Sequence, residues 1–475
     1  MAKKPNTPKY IELTIDDLSF GARGVARKDN FVWFVDKGIP GQKVRALIRK
    51  KKKSFGEAIV SEILEPSPHQ VDPPCPHFGV CGGCQLQHLD YAQQVEAKTR
   101  QVRDVLTRLG GLKDITVLPT IPAKTIYAYR NKMEFSFGSR RWLTQDEEDA
   151  KPWNFALGLH APRSFEKVLD IDICHLQSER ANNILTTVKR LTFTSGLLPY
   201  DTRSHVGFWR FFILREGANT ADLMVSIITS GQEAEHGIQA VDTLSEELTH
   251  AHPEITTLVH GITDSLGQVA VAESERVLFG PGHITDKLGE RTFEISPAAF
   301  FQTNTKQAEI LFEAIADLAD LQPTDTLYDL YCGTGAIGIF LADRVSKVLG
   351  IEAIPTAIAD ARRNARRNGL DNINFVLADM KDALKEQDAF FTTFGRPDVA
   401  VLDPPRGGTH PKTIKHLLAL APPKLVYVSC NPAILARDLA ELCAKTYAIK
   451  AIQPVDMFPH TKHIEVVTVL ERKDS

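Results

Sequence analysis

From Thr326 onward the chain alternates apolar runs with helix-length segments, and few architectures accept that pattern. The runs are Leu327–Leu330, Val348–Ile351, Ile373–Leu377, Val399–Leu402, Leu425–Val428 and Val466–Leu470. Continuous apolar strands separated by helices make βαβ units, which wind into a parallel sheet covered on both faces. An α/β, Rossmann-like doubly wound fold is therefore expected over 291–475. Such sheets take ligands outside the carboxyl ends of their strands, so strand ends are where reactive residues are sought.

At 475 residues the chain exceeds one compact core, and about three domains are expected. Between Tyr10 and Leu64, short alternating runs (Ile11, Leu13, Ile15; Val32–Val35; Ala58–Val60) are separated by turns at Gly21, Gly24 and Gly38–Gly41. Strands of this length and spacing predict a small OB-like β-barrel over 1–66, a fold that often binds oligonucleotides. Pro66, Pro68, Pro73 and Pro74 mark its exit. Residues 67–290 mix amphipathic helices (Ala92–Leu109, Ser178–Leu191) with strands (Met133–Phe137, Leu223–Ile228) and predict an α+β central domain.

No run approaches the ~20 apolar residues of a membrane helix. The basic N-terminus is followed by no apolar stretch, so a reducing cytoplasmic location without membrane contact is expected. In that compartment seven cysteines point to metal binding or catalysis rather than disulfides. A net charge of −3 does not announce a nucleic-acid binder, so any RNA contact must come from local patches. Arg49–Lys53 is the densest basic run, and Phe55 stands beside it. A solvated hairpin tip and a phosphate-contacting loop fit it equally well.

The first apolar run of the sheet ends in Asp329-Leu330-Tyr331-Cys332-Gly333-Thr334-Gly335, a strand leading through a glycine turn into a helix. Glycine lets backbone approach a nucleotide closely. Glu352 ends the second strand, where a carboxylate accepts ribose hydroxyls, and Asp379 ends the third, within reach of an adenine amino group. A dinucleotide such as NAD is the competing ligand, with Gly338 as third glycine. Acidic residues at successive strand tips favour S-adenosylmethionine.

The fourth strand runs into Asp403-Pro404-Pro405-Arg406 and the fifth into Ser429-Cys430-Asn431-Pro432. The two prolines make a rigid lip. A similar Asp-Pro-Pro-aromatic element serves amino-group methyltransferases, but here arginine replaces the stacking aromatic. Cys430 decides the chemistry. Uracil C5 is a poor nucleophile until a thiolate adds at C6. With an ordinary thiol pKa of ~8.5, the site is expected to depress that pKa or to pair the thiol with a base. A base must then remove the surplus C5 proton, and Glu465, at the start of the last strand, is the candidate.

Together these elements resemble the RNA (uracil-5)-methyltransferase family. Phe300-Phe301-Gln302-Thr303-Asn304 matches its Phe-x-Gln-x-Asn element. Asp403-Pro404-Pro405-Arg406, Ser429-Cys430-Asn431-Pro432 with Ala436-Arg437-Asp438, and His463-x-Glu465 follow in the family's order. The N-terminal barrel looks like a TRAM domain. The resemblance implies Cys430 as nucleophile and Glu465 as base. It implies Gln302, Tyr331, Glu352, Asp379 and Asp403 as cofactor- or substrate-binding residues, with Phe300 against a flipped nucleotide. Flipping costs a few kcal/mol and stacking returns ~1–3 kcal/mol. Many members carry asparagine where this chain has Ala336.

Cys75, Cys81, Cys84 and the distant Cys174 remain. Four cysteines read generically as structural zinc. The resemblance implies a 4Fe–4S cluster instead, and with it 23S ribosomal RNA as substrate; transfer RNA is the near alternative. Radical S-adenosylmethionine chemistry would leave Cys430 and Glu465 without a role, and a non-catalytic iron–sulfur RNA-binding protein would not need them. Cys332 and Cys443 are expected to be structural, and the chain to act as a monomer.

Overall fold

The structure is a computed structural model, and it describes residues 8–143, 152–161, 166–385 and 392–473. The N-terminal strands are β1 (Tyr10–Thr14), β2 (Asp17–Ser19), β3 (Arg23–Lys28), β4 (Phe31–Asp36), β5 (Lys43–Lys51) and β6 (Phe55–Glu65). Their order, β1-β5-β6-β4-β3-β2, begins and ends on strands adjacent in sequence, so the sheet curls round upon itself. The Asp16 amide, between β1 and β2, donates to the Val25 carbonyl of β3 at 2.7 Å. Leu13, Ile15, Trp33, Val35, Val44 and Ala58 fill the interior by period-two alternation. Gly56 stands where an added Cβ would come within 2.3 Å of the Trp33 ring, so only glycine fits there.

Helix α1 (Tyr91–Gly110) follows, capped by the Asp90 side chain on the Ala92 amide and closed by Gly111 in the left-handed region (φ 62°). Sequence order assigns it to the centre of the chain. Its packing is with the C-terminal sheet: Val102 and Leu106 share a core with Leu435, Ala436 and Leu439. Burying each of these side chains is worth about 1.5–3 kcal/mol. Gly110 allows the approach, because a Cβ there would lie 3.1 Å from the Ala436 carbonyl oxygen.

The central sheet holds β7 (Lys132–Gly138), β8 (Ala156–His160), β9 (Val168–Asp170), β10 (Trp209–Glu216), β11 (Leu223–Thr229), β12 (Thr257–Ile262) and β13 (Ser274–Phe279). They run in the order β13-β12-β11-β10-β7-β8-β9. Helix α2 (Glu179–Thr194) buries Ile184, Leu185 and Val188, and α3 (Ala234–Ala251) buries Val241, Leu244 and Leu248, in one shared core with this sheet. The hairpin β14 (Ile284–Leu288) and β15 (Arg291–Ile295), with α4 (Thr305–Ala319), belongs to the core of the last sheet.

That sheet contains β16 (Thr326–Leu330), β17 (Lys347–Glu352), β18 (Ile373–Leu377), β19 (Val399–Leu402), β20 (Lys424–Ser429), β21 (Tyr447–Val455) and β22 (Glu465–Arg472). The order is β18-β17-β16-β19-β20-β22-β21. Neighbours from β18 to β20 are parallel, while β22 is antiparallel to both β20 and β21. The doubly wound expectation holds, with one strand more than the apolar runs gave. In β21 the exposed Lys450 and the buried Gln453 and Pro454 interrupt the apolar residues, so no continuous apolar run announces the strand. The order reverses between β16 and β19, which sets the crevice for ligands above their carboxyl ends.

Candidate active site

At the end of β16 the chain leaves the sheet through Tyr331, itself left-handed (φ 64°), into the turn at Gly333 (φ 53°) and Gly335 (φ 78°). A Cβ on Gly335 would meet the Phe375 ring at 2.7 Å, whereas one on Gly333 would meet nothing within 4 Å. The first glycine thus faces open space and the second is closely packed. Glu352 organises the turn. One oxygen accepts the Gly333 amide at 3.1 Å, and the other accepts the Ala353 and Ile354 amides at 2.7 and 3.0 Å. Asp329 accepts the Gly338 amide at 2.9 Å, while its second oxygen is buried without a hydrogen-bond partner. Burial, with Asp403 and Glu352 nearby, pushes its carboxyl up to about 7.

The remaining expected binding residues stand on separate elements. Asp379 lies exposed past the tip of β18 and accepts the Lys381 amide at 3.0 Å and its ammonium at 2.9 Å, which holds its carboxyl low. Gln302 is half-buried, and its carbonyl accepts from Asn131 of the central domain at 2.9 Å. Asn304 caps α4 and donates to the Met457 carbonyl at 2.9 Å. The Phe300 carbonyl accepts the Thr334 hydroxyl of the glycine turn at 3.2 Å, and its ring is 69% exposed. An aromatic that large is left in water beside a crevice at a hydrophobic cost, which suits a ring awaiting a base.

Cys430 and Glu465 come together through strand register. Ser429 pairs with Val466 at the end of the antiparallel β20–β22 ladder, so Cys430 lies one residue past β20 and Glu465 one residue before Val466, close enough for the Glu465 charge to act on the thiol. Glu465 is buried (8% exposed), and its carboxyl is raised well above the usual range by burial and by Asp403. Asp403 joins them from the end of β19, its amide donating to the Leu330 carbonyl at 3.3 Å, and burial pushes its carboxyl up to about 7.

Of the two expected arrangements for the thiol, a depressed pKa is not the one found. Burial, then the charges of Glu465 and Asp403, push Cys430 up to about 11, with Arg406 pulling the other way. The thiol is not depressed; it stands beside the buried Glu465 carboxyl instead. Asn431 turns the chain back into helix Pro432–Cys443 by accepting the Ala433 amide at 3.1 Å. Asp438 of that helix accepts the Tyr427 hydroxyl at 2.7 Å and the Thr409 amide at 3.3 Å, and Arg437 donates to the Thr409 carbonyl at 3.2 Å. The Ala-Arg-Asp element therefore ties the loop after Asp403 to the helix after Cys430.

The structure also gathers the other cysteines. Cys75, Cys81, Cys84 and Cys174 line one cavity of about 550 Å³ whose wall includes Phe300 and Arg130. All four thiols are half-buried, and burial raises them, Cys81 to about 11 and Cys84 to about 12, with the neighbouring thiols adding. Among the described residues no three His, Cys, Asp or Glu side chains are grouped as a single metal ion requires. Cys332 is buried in the core of the last sheet and Cys443 is half-buried. On the barrel, the Lys51 ammonium lies 5.1 Å from the Phe31 ring centre and 5.8 Å from that of Trp33. Lys52 lies 4.8 Å from the ring centre of Phe55. The basic run is interleaved with aromatics, as single-stranded nucleic acid prefers.

Solved structures define the class first. The chain matches the tRNA (uracil-54, C5)-methyltransferase of Pyrococcus abyssi, solved with S-adenosyl-L-homocysteine, at TM-score 0.73 and 27% identity, over 97% of this chain and 100% of that one. The fold is that of an RNA methyltransferase. The family model described as tRNA (Uracil-5-)-methyltransferase matches residues 238–473, and the TRAM domain model matches residues 7–60. An uncharacterized RNA methyltransferase of Chlorobaculum tepidum is 42% identical over 98% of this chain and 96% of its own length. Another, from Halalkalibacterium halodurans, is 39% identical over 99% and 98%. The chain belongs to the RNA (uracil-5)-methyltransferase family. No helix among the described residues is long and apolar enough to cross a membrane.

Proposed function

We propose that the protein methylates C5 of uracil in RNA, with S-adenosylmethionine as donor, Cys430 as nucleophile and Glu465 as base. One observation carries the reading: the β20–β22 register that sets a thiol against a buried carboxylate beside the glycine turn. The turn fits the donor, because Gly333 faces open space and Glu352 holds it in shape. Glu352, Asp379, Tyr331, Asp403 and Gln302 would bind the donor and the uracil. Bound there, the donor supplies an electrophilic methyl group.

The chain's residues do the rest. The Cys430 thiolate bonds to C6, and the electron pair released to C5 takes the methyl, leaving S-adenosylhomocysteine. C5 then carries both methyl and hydrogen. Glu465 accepts that hydrogen as a proton, the C5–C6 double bond re-forms, and the Cys430 thiolate leaves. A carboxyl raised by burial suits this step, since it holds a proton more tightly than an exposed carboxylate does. Phe300 would stack on the flipped nucleotide and the TRAM barrel would hold neighbouring phosphates.

The cysteine quartet fits a 4Fe–4S cluster by its donor set, four thiols around one cavity. Cys75, Cys81, Cys84 and Cys174 would hold it, and it would supply a cross-link between the loop of residues 75–84 and the chain before α2. Zinc, the alternative, would bring the sulfurs to about 2.3 Å from a single ion. With a cluster, 23S ribosomal RNA is the proposed substrate and the cytoplasm the proposed location. Transfer RNA is the second reading, favoured by the match along the whole chain to a transfer-RNA enzyme. Ribosomal and transfer RNA from cells lacking the gene, incubated with the protein and methyl-labelled donor, separate the readings. Label at C5 of a uridine in 23S RNA is expected. Label in transfer RNA alone would move the substrate, and none at any C5 would overturn the proposal.

A further inference from the structure

Between the cysteine loop and the stretch leading into Glu465 lies a dense set of hydrogen bonds that the methyl transfer itself does not use. Gln94 of α1 is fully buried (0% exposed). Its amide nitrogen lies 2.9 Å from the Leu86 carbonyl oxygen, 2.7 Å from that of Leu89 and 3.1 Å from Nδ1 of His460. Its amide oxygen accepts the His460 N–H at 3.1 Å. One side chain thus grips the cysteine loop with one end and the approach to the base with the other.

Bonds from the loop itself close the same junction. Gln85 and Leu86, directly after Cys84, donate their amides to the His460 carbonyl at 2.9 Å each. The Gln85 side chain accepts the Lys462 amide at 3.0 Å. His460 is held left-handed (φ 65°), a conformation L side chains rarely adopt, and the Tyr127 ring stacks on it at 4.3 Å. From His460 the chain runs through His463, whose amide donates to the Thr461 hydroxyl at 3.1 Å, to Glu465. Displacement of so short and tightly bonded a stretch passes to the carboxylate at its end.

We infer that Gln94 and Gln85 are positioning residues: they lock the cysteine loop onto the segment ahead of Glu465 and so set where that carboxylate meets the C5 proton. The inference rests on the proposed reaction. Because Glu465 acts only after the methyl has moved, loosening the lock slows release of product and spares the earlier steps. It also gives the cysteine loop a part in catalysis without any contact between a cluster and the RNA.

The test uses full-length Gln94→Leu and Gln85→Ala; the second removes a half-buried side chain and leaves the core intact. The RNA is the one that accepts label from the wild type, prepared either unmodified or with 5-fluorouridine. Both variants are expected to form the Cys430 adduct with 5-fluorouridine RNA as fast as the wild type. On unmodified RNA they are expected to accumulate a methyl-labelled covalent complex and to release product about tenfold more slowly. Wild-type release, or adduct formation and release slowed in the same proportion, overturns the inference. Hydrogen exchange over residues 456–465 without RNA gives a second reading: faster exchange in Gln94→Leu is expected, and unchanged exchange overturns the lock even if the wild type makes no adduct. Absence of any wild-type adduct overturns the proposed function instead.

Discussion

Cys430 and Glu465 share one problem of charge. Each is disfavoured as an anion by burial; the charges of Glu465 and Asp403 push the thiol up further, and Asp403 does the same to Glu465. With the thiol pushed up to about 11, its thiolate fraction grows roughly tenfold per pH unit through neutrality. Adduct formation is therefore expected to accelerate steadily from pH 6 to 9 in single-turnover measurements. Glu465→Gln removes one anion, so the thiol's pKa falls and the same curve shifts to lower pH. The variant should add to C6 at least as fast as the wild type, yet lose turnover by about 10²–10⁴-fold and hold its RNA covalently. Equal loss of adduct formation and turnover would show that Glu465 supports the fold rather than the proton transfer.

At the scale of elements, α1 is the piece that sequence order misassigns. Lys98 on this helix is 1% exposed, and its ammonium lies 2.6 Å from Asp456, which also accepts the Tyr91 hydroxyl at 3.0 Å and the Phe458 amide at 3.2 Å. Lys98→Ala leaves a buried carboxylate without its cation and is expected to cost about 3–5 kcal/mol in denaturant unfolding. A loss below ~1 kcal/mol would mean that solvent reaches Asp456. Nothing in sequence pairs a lysine in the first third of the chain with an aspartate near its end. What sequence does carry is local: the glycine turn, the acidic strand tips, and the two motifs whose ends meet at Cys430 and Glu465. The apolar runs gave six strands of the last sheet because each is continuous. They missed β21, where Lys450 and Pro454 interrupt the run. The raised thiol is not legible either, since it comes first from the burial of Cys430 itself and then from the charges of Glu465 and Asp403 beside it, which only packing decides.

For the whole molecule, the net charge of −3 gives no general attraction for RNA, so binding falls to patches. Lys51 and Lys52, held over the rings of Phe31, Trp33 and Phe55, form one such patch on the barrel. Replacing both by alanine is expected to weaken RNA binding and to flatten its dependence on salt, by a slope of about one for each phosphate no longer neutralised. Unfolding behaviour should stay as in the wild type. An unchanged salt slope would leave the barrel without a role in holding RNA.

The chemistry itself is tested most directly by trapping it. The protein is incubated with donor and with its RNA carrying 5-fluorouridine, whose C5 fluorine cannot leave as a proton, and the covalent complex is digested and mapped by mass spectrometry. One methylated fluorouridine attached to the peptide that contains Cys430 is expected, and no complex from Cys430→Ala. A nucleotide found on any other cysteine, or a complex that survives that substitution, would contradict it.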